Sequence, residues 1–436
     1  MNSILNFISG QKILKYKSSE KISIFILFAI FCYSFNVSLI IIDASSMHAE
    51  NLNDMVDSVE SGSLYNKVYW SFLFILSLLI IIKDKLKLIR SMQSIKPIYL
   101  LIFLLVSSIL WSDYPLITLR RSALSVFVIF SIMVSCIYIK KPTIILFIIY
   151  RVIAISLAFN IIALVLGKGF SADGLFSGIH GHKNTAGLVA SIALWASFSA
   201  RYVLNQKNSL NLIIILGWVI VLLLTRSKTS IALCLLSPLI WYFINLISNK
   251  LKFSTFYSLV IVSCSLILCI TSLLLFNGLS LSEGISVLGG DISLTGRDFI
   301  WTFVLEYIFE NPILGVGYGA FWDVGQSSTN LGAHGHGRIY LNFLHQAHNG
   351  YLDILVNLGI VGLISIITII FQTLNIITSN AYKNNIFSQL SGILIVFIFL
   401  HNITESSLLR TTHLNWVMIL ILFFIFSILN KKRFLK

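Results

Sequence analysis

The chain has 436 residues, of which 57% are hydrophobic and 11% charged, against about 45–50% and about 25% in an ordinary soluble domain. A water-soluble fold has nowhere to bury so much apolar side chain, so soluble enzyme folds are excluded. The composition predicts an all-α polytopic membrane protein: about twelve transmembrane helices of about 21 residues would use about 58% of the chain.

Apolar runs fall at about 22–42, 68–82, 97–111, 121–139, 142–166, 185–203, 210–224, 231–248, 256–276, 351–375, 386–402 and 415–430. The shorter runs leave eleven or thirteen spans open. These runs divide the chain into an N-terminal bundle of about nine helices (1–276), one large loop with amphipathic helices (277–350) and C-terminal helices (351–436). The first run follows lysines but exceeds the usual 7–15-residue core of a signal peptide, so it reads as a retained span. The five cysteines all sit inside apolar runs, which indicates small core residues rather than disulfides or thiolate metal ligands.

With the N-terminus inside, the inner segments hold 20 of the 31 Lys and Arg residues and, of the 17 acids, only Glu20 and Asp84. Both biases predict cytoplasmic termini and an outward-facing large loop. The net charge of +14 is then an orientation signal. Its basic residues are spread along loops instead of gathered on one face, so no nucleic acid partner is expected. In the first outer loop Asp54, Asp57 and Glu60 read as a solvated acidic segment, with a metal-assisting carboxylate as the alternative.

The cations outside the inner segments are the informative ones. Arg151 lies within the fifth span, where a charge is costly unless it pairs, snorkels or functions. Arg120, Arg121, Lys183, Arg226, Arg297 and Arg410 gather at outer span ends or in outer loops. There they serve either as headgroup anchors or as a collar for a phosphate-bearing ligand, which guanidinium groups bind bidentately. The stretch Phe176 to Asn184 has two glycines, Lys183 and a potential N-cap in Asn184. It suits either an anion held at a helix N-terminus or a plain capped turn. His180 and His182 read as structural.

In the large loop, Thr295-Gly296-Arg297 predicts a helix start and Pro312 its end. Asp298, Thr302, Glu306 and Glu310 recur every four residues among apolar neighbours, which predicts an amphipathic helix on the outer leaflet or on the bundle. Arg297 in its first turn opposes the helix dipole, which suits a ligand contact better than helix stability. Gly315-Val-Gly-Tyr-Gly319 reads as a flexible turn, and Phe321-Trp322 as sugar-stacking or interfacial aromatics. His334, His336, His345 and His348 have zinc-like spacing but no Cys or acid beside them at ligand spacing, so no metal site is expected. His348 starts an apolar helix, where the dipole favours neutral imidazole and hence a base for a hydroxyl proton. A capping or packing histidine is the alternative.

Thr295-Gly-Arg297 with Trp301, Asn311 to Trp322, Ala347-His348-Asn349-Gly-Tyr-Leu-Asp353 and Gly359-Ile-Val-Gly362 together resemble the O-antigen ligase and polymerase superfamily. Ser177 to Asn184 and Leu119-Arg-Arg121 resemble its exopolysaccharide-polymerase branch. The resemblance covers about residues 110 to 375. It implies a membrane glycosyltransferase of the GT-C type in the inner membrane, with the large loop periplasmic. Its donor would be an undecaprenyl-diphosphate-linked glycan, used in a single inverting displacement without nucleotide, metal or other cofactor. Carried onto this chain, Arg297 and Arg226 would grip the diphosphate and His348 would act as base. Arg121 and Lys183 would add positive charge, with Asn349 and Trp322 beside the substrate. The partners implied are the lipid-linked glycan, the bilayer and a chain-length regulator. Polymerase is the first expectation and ligase, with lipid A-core as acceptor, the second. A transporter is the alternative of another class, but transporters place polar sites near the midplane, and here the unusual residues lie in outer loops.

Overall fold

The structure is a computed structural model that describes residues 17–37, 64–170, 174–251, 297–322, 324 and 346–434, with scattered residues between 257 and 272. Among these the fold is helical, with a single isolated antiparallel bridge between Phe170 and Phe176. In chain order the helices are α1 (Ser18–Ser34), α2 (Leu64–Lys83), α3 (Lys85–Met92), α4 (Lys96–Ser107), α5 (Pro115–Tyr138), α6 (Pro142–Val165), α7 (Lys183–Val203), α8 (Ser209–Leu224), α9 (Lys228–Leu251), α10 (Arg297–Glu310), α11 (Gly350–Thr378), α12 (Ile386–His401) and α13 (Leu414–Phe434).

Local chemistry fixes many of these boundaries. Pro115 and Pro142 open α5 and α6, where the missing N–H costs nothing and the fixed φ suits a first turn. Asn208, Asn349 and Asn385 cap α8, α11 and α12 by accepting from N–H groups of the first turn. Eight described helical segments are long and apolar enough to cross a membrane, with α8 and α12 as shorter apolar helices. Eleven of the twelve expected runs coincide with helices; the ninth, 256–276, lies mostly outside the described residues. The first span ends at Ser34, earlier than expected, with Asn36 in the left-handed region at φ 58°. The acidic segment with Asp54, Asp57 and Glu60, and also His334, His336 and His345, lie outside the described residues.

In the spans of α7 and α13, 78% of residues are buried, whereas in those of α2 and α9 only 22% are. The exposed faces of the outer helices carry residues such as Ile82 and Leu235. That pattern suits lipid as the surrounding solvent and makes this a multi-pass membrane protein. Helix α13 packs against α5 and α11, and α7 against α6, α8, α9 and α12. The short amphipathic α3 was not anticipated; Leu86, Ile89 and Met92 are exposed on it. Arg151 on α6 stands over the Phe147 ring, 4.8 Å from its centroid, so a cation–π contact offsets part of its placement within the span.

The feature that ties the large loop to the bundle is a break in α11. Gly359 sits at φ 61°, ψ −163°, inside an otherwise helical run. The backbone groups freed there are taken up by the segment after α10: Ile360 N donates to Pro312 O (2.9 Å), Val361 N to Ile313 O (3.3 Å), and Val316 N and Gly317 N donate to Val356 O (2.9 Å) and Asn357 O (3.1 Å). In a membrane protein such groups must be satisfied within the chain. The expected amphipathic helix is α10, and it lies on the bundle: Ile300, Phe303, Val304 and Ile308 pack with Ala347 and Val356, while Thr302, Glu306 and Glu310 are exposed.

A Cβ at Gly359 would lie 2.2 Å from the Ile313 carbonyl. Gly359→Ala is therefore expected to unseat the 312–317 segment and lower the detergent-solubilised melting temperature clearly. The neighbouring Gly362→Ala, whose nearest heavy atoms belong to the Leu358 side chain, serves as the milder comparison in the same fluorescence-detected melt.

Candidate active site

Helix ends and loops at one end of the bundle enclose a cavity of about 660 Å3. Its walls come from the end of α1, the start of α2, the first turns of α5, α7 and α11, the 318–322 segment and the α12–α13 loop. That last loop is folded around Asn402, which is fully buried. Asn402 Oδ1 accepts from Ser407 N (3.0 Å) and Leu408 N (2.9 Å), its Nδ2 donates to Ile398 O (2.7 Å), and its own carbonyl accepts from Gly350 N (2.8 Å). One asparagine thus joins the α12–α13 loop to the start of α11. Of five described non-glycine residues with positive φ, three line the cavity: Asn36, His348 and Leu409. Such strain tends to collect at functional sites.

His348 stands at φ 51°, between Ala347 and the cap Asn349. Its Nδ1 is 3.3 Å from Glu405 Oε2, with His348 28% and Glu405 13% exposed. Gln346 Nε2 also lies 3.3 Å from Nδ1. An ionised carboxylate is the stronger partner and selects the tautomer with the proton on Nδ1, which leaves Nε2 as the basic nitrogen. Glu405 Oε1 accepts from Asn184 Nδ2 (2.7 Å), and Asn184 Oδ1 accepts from Ser227 Oγ (3.3 Å). The chain His348–Glu405–Asn184–Ser227 therefore links α11, the last loop, α7 and the turn before α9. Asn184 is not the cap expected of it. His182 caps α7 through Nδ1, which accepts from Asn184 N, and this frees the Asn184 side chain for Glu405.

The opposite wall is stapled by Asp353 and Arg121. Asp353 Oδ1 accepts from Trp322 Nε1 (2.7 Å) and, with Oδ2, from Ala347 N (3.1 and 3.3 Å). Arg121 Nη1 donates to Gly319 O and to Trp322 O (2.8 Å). Gly319 is at φ 69°, and a Cβ there would meet Arg121 Cδ at 2.5 Å. The segment expected to be a flexible turn is thus fixed, with Tyr318 OH donating to Leu409 O (3.0 Å). Burial pushes the Tyr318 hydroxyl above the usual tyrosine range, so it stays a neutral donor.

Of the residues singled out in the sequence, His348, Arg121 and Trp322 line this cavity, and Arg410 joins them. Arg410 Nη1 donates to Gln346 Oε1. Asn349 does not line it; its side chain caps α11 by accepting from Tyr351 N and Leu352 N. Lys183, half-buried at the start of α7, is flanked by His182 and Asn184, which do line it. Arg226 is an exposed turn residue at φ 48°, next to Ser227 of the hydrogen-bonded chain. The Arg297 side chain lies outside the described residues. One turn along α10, however, Trp301 Nε1 donates to Ala347 O (2.9 Å), which brings that helix to the residue preceding His348. His180 is structural, as expected: Asn160 Nδ2 lies 3.2 Å from its Nε2, and burial pushes it down to about 3. Sequence reasoning missed Glu405. The available signal was a lone acid followed by Arg410 in a short polar loop between two apolar runs.

Residues 210–367 match a family described as O-Antigen ligase. The matched stretch contains α8 to α10, the 311–322 segment, His348 and the break in α11, but neither Arg121 nor Glu405. The chain is also 24% identical over 212 residues to the "Exopolysaccharide production protein ExoQ" of Rhizobium meliloti (strain 1021), a match spanning 46% of each protein. It thus covers about half the length of that curated relative. Segment 210–367, with the His348 and Gly359 motifs that shape the cavity, is thus similar to the O-antigen ligase family.

Proposed function

We propose that the protein is a membrane glycosyltransferase that joins glycan repeat units carried on undecaprenyl diphosphate, by metal-independent inverting transfer on the periplasmic face of the inner membrane. The observation that carries this reading is the His348–Glu405 pair opening into a cavity that also holds Arg121 and Arg410. Attack of an acceptor hydroxyl on an anomeric carbon needs a base for the departing proton and fixed positive charge for the lipid diphosphate that leaves. His348 Nε2 takes the proton while Glu405, on Nδ1, orients the ring and stabilises the imidazolium that forms. Arg410, with Arg226 and Arg297 from the adjoining turn and helix, supplies charge for the leaving oxygens. Arg121 donates to two carbonyls of the 318–322 segment, so it holds that wall as well as adding charge. Asn349 is assigned to placing His348 rather than to touching substrate, and Trp322, held by Asp353, presents a ring face at the wall.

Polymerase is favoured over ligase by the likeness to an exopolysaccharide production protein and by the Gly181-His-Lys-Asn184 loop, whose Asn184 is built into the site. Joining repeat units also leaves room for a chain-length regulator as partner.

His348→Ala is expected to lower glycan transfer by about a hundredfold or more while the protein stays folded in the membrane. Glu405→Gln should cost less, about ten- to a hundredfold in kcat with KM little changed. Both are read with purified protein and lipid-linked repeat units, and retained transfer by His348→Ala sinks the assignment. The same preparation should work undiminished in excess chelator. In a deletion strain, single repeats on surface lipid point to a lost polymerase, whereas long glycan stranded on its carrier points to a lost ligase.

A further inference from the structure

Beneath the His348–Glu405 pair the cavity holds a polar group that the proposed transfer step leaves unused. His401 is the last residue of α12 and lies one helical turn from Glu405, whose N–H donates to the His401 carbonyl at 3.0 Å. It is 1% exposed and lines the cavity, yet neither Nδ1 nor Nε2 has a hydrogen-bond partner among the described residues. Buried polar atoms are nearly always paired, and leaving them unpaired is costly. An imidazole with both nitrogens unmatched at a cavity wall is therefore suited to a ligand that brings the missing partners.

The chemistry of the surrounding wall says which kind of ligand. Where α1 ends and α2 begins, the lining among the described residues is Tyr33, Ser34, Asn36, Asn66 and Trp70, none of them charged. Tyr33 and Trp70 meet edge to face at 5.1 Å, and Tyr33 OH donates to Asn66 Oδ1 at 2.7 Å. A phosphate would need cations, which reach this cavity as Arg121 and Arg410 from other elements. Neutral amides, hydroxyls, aromatic faces and an imidazole that can donate on one nitrogen and accept on the other instead match a sugar ring, with its many hydroxyls and apolar C–H faces.

We propose that His401 and the neutral wall formed by α1 and α2 are a sugar subsite, in which His401 hydrogen-bonds hydroxyls of a glycan whose reacting end lies at His348. The inference rests on the transferase reading for its location, but binding tests it without turnover. The test uses full-length protein in lipid nanodiscs and the repeat-unit oligosaccharide released from the source organism's own surface polysaccharide, titrated calorimetrically. Competition by sugar-free undecaprenyl diphosphate is measured alongside against lipid-linked repeat units.

Wild type is expected to bind the oligosaccharide. His401→Phe should weaken that binding about ten- to thirtyfold, as the loss of two hydrogen bonds implies, and His401→Gln, which keeps a donor and an acceptor, should come within about threefold of wild type. Asn66→Ala, at the half-exposed start of α2, should weaken binding severalfold should the phenylalanine variant fail to fold. The inhibition constant of sugar-free undecaprenyl diphosphate should be unchanged in every variant. Unaltered oligosaccharide binding by His401→Phe and Asn66→Ala, equal loss of diphosphate and sugar binding, or no binding by wild type at millimolar concentration each overturns the subsite. Binding by wild type that depends on His401, without any glycan transfer, upholds the subsite and sinks the transferase reading instead.

Discussion

The break in α11 at Gly359 is the constraint on which the rest of the site depends. An apolar helix that stops hydrogen-bonding itself exposes carbonyls and N–H groups that lipid cannot satisfy. The 312–317 segment satisfies them and is thereby fixed to the bundle. From that anchorage the chain runs directly into Tyr318, Gly319 and Trp322, which Ser125, Arg121 and Asp353 hold in place. The same helix carries Asp353 and Asn357 on its first turns, and Asn357 Oδ1 accepts from Gly319 N at 2.7 Å. Loop, helix break and cavity wall are one hydrogen-bonded unit.

A second unit holds the imidazole. The left-handed conformation of His348 costs about 1–3 kcal/mol in isolation and persists because its neighbours are fixed on both sides. Ala347 is held through its N–H by Asp353 and through its carbonyl by Trp301, and Asn349 N donates to Ser406 Oγ at 3.1 Å. The ring is thus presented from a rigid backbone while Glu405 sets its tautomer. Such preorganisation suits the base role proposed for His348.

Much of this arrangement was legible in the sequence, and the divide between what was and was not is physical. Helix count and placement follow from apolar runs, because the bilayer imposes one length and one solvent; α10 followed from its four-residue acidic repeat, and His348 from its position ahead of an apolar helix. What periodicity does not carry is the pairing of residues distant in the chain. Glu405 and Asn184 are 221 positions apart, Arg121 and Gly319 198, and neither pairing leaves a trace in local composition. The glycines of 315–319 looked like flexibility; in the fold they let the backbone approach Asn357, Ser112 and Arg121 more closely than a side chain would allow. Asn349 and Asn184 show the converse: Asn349, expected beside the substrate, caps α11, and Asn184, suited to capping, donates to Glu405 instead.

The described walls bound a half-open space of about 660 Å3, within the range that surrounds one drug-sized molecule. On the proposed polymerase reading, a strand longer than this space would pass out of it, and any ruler of its length would read it on a surface other than these walls.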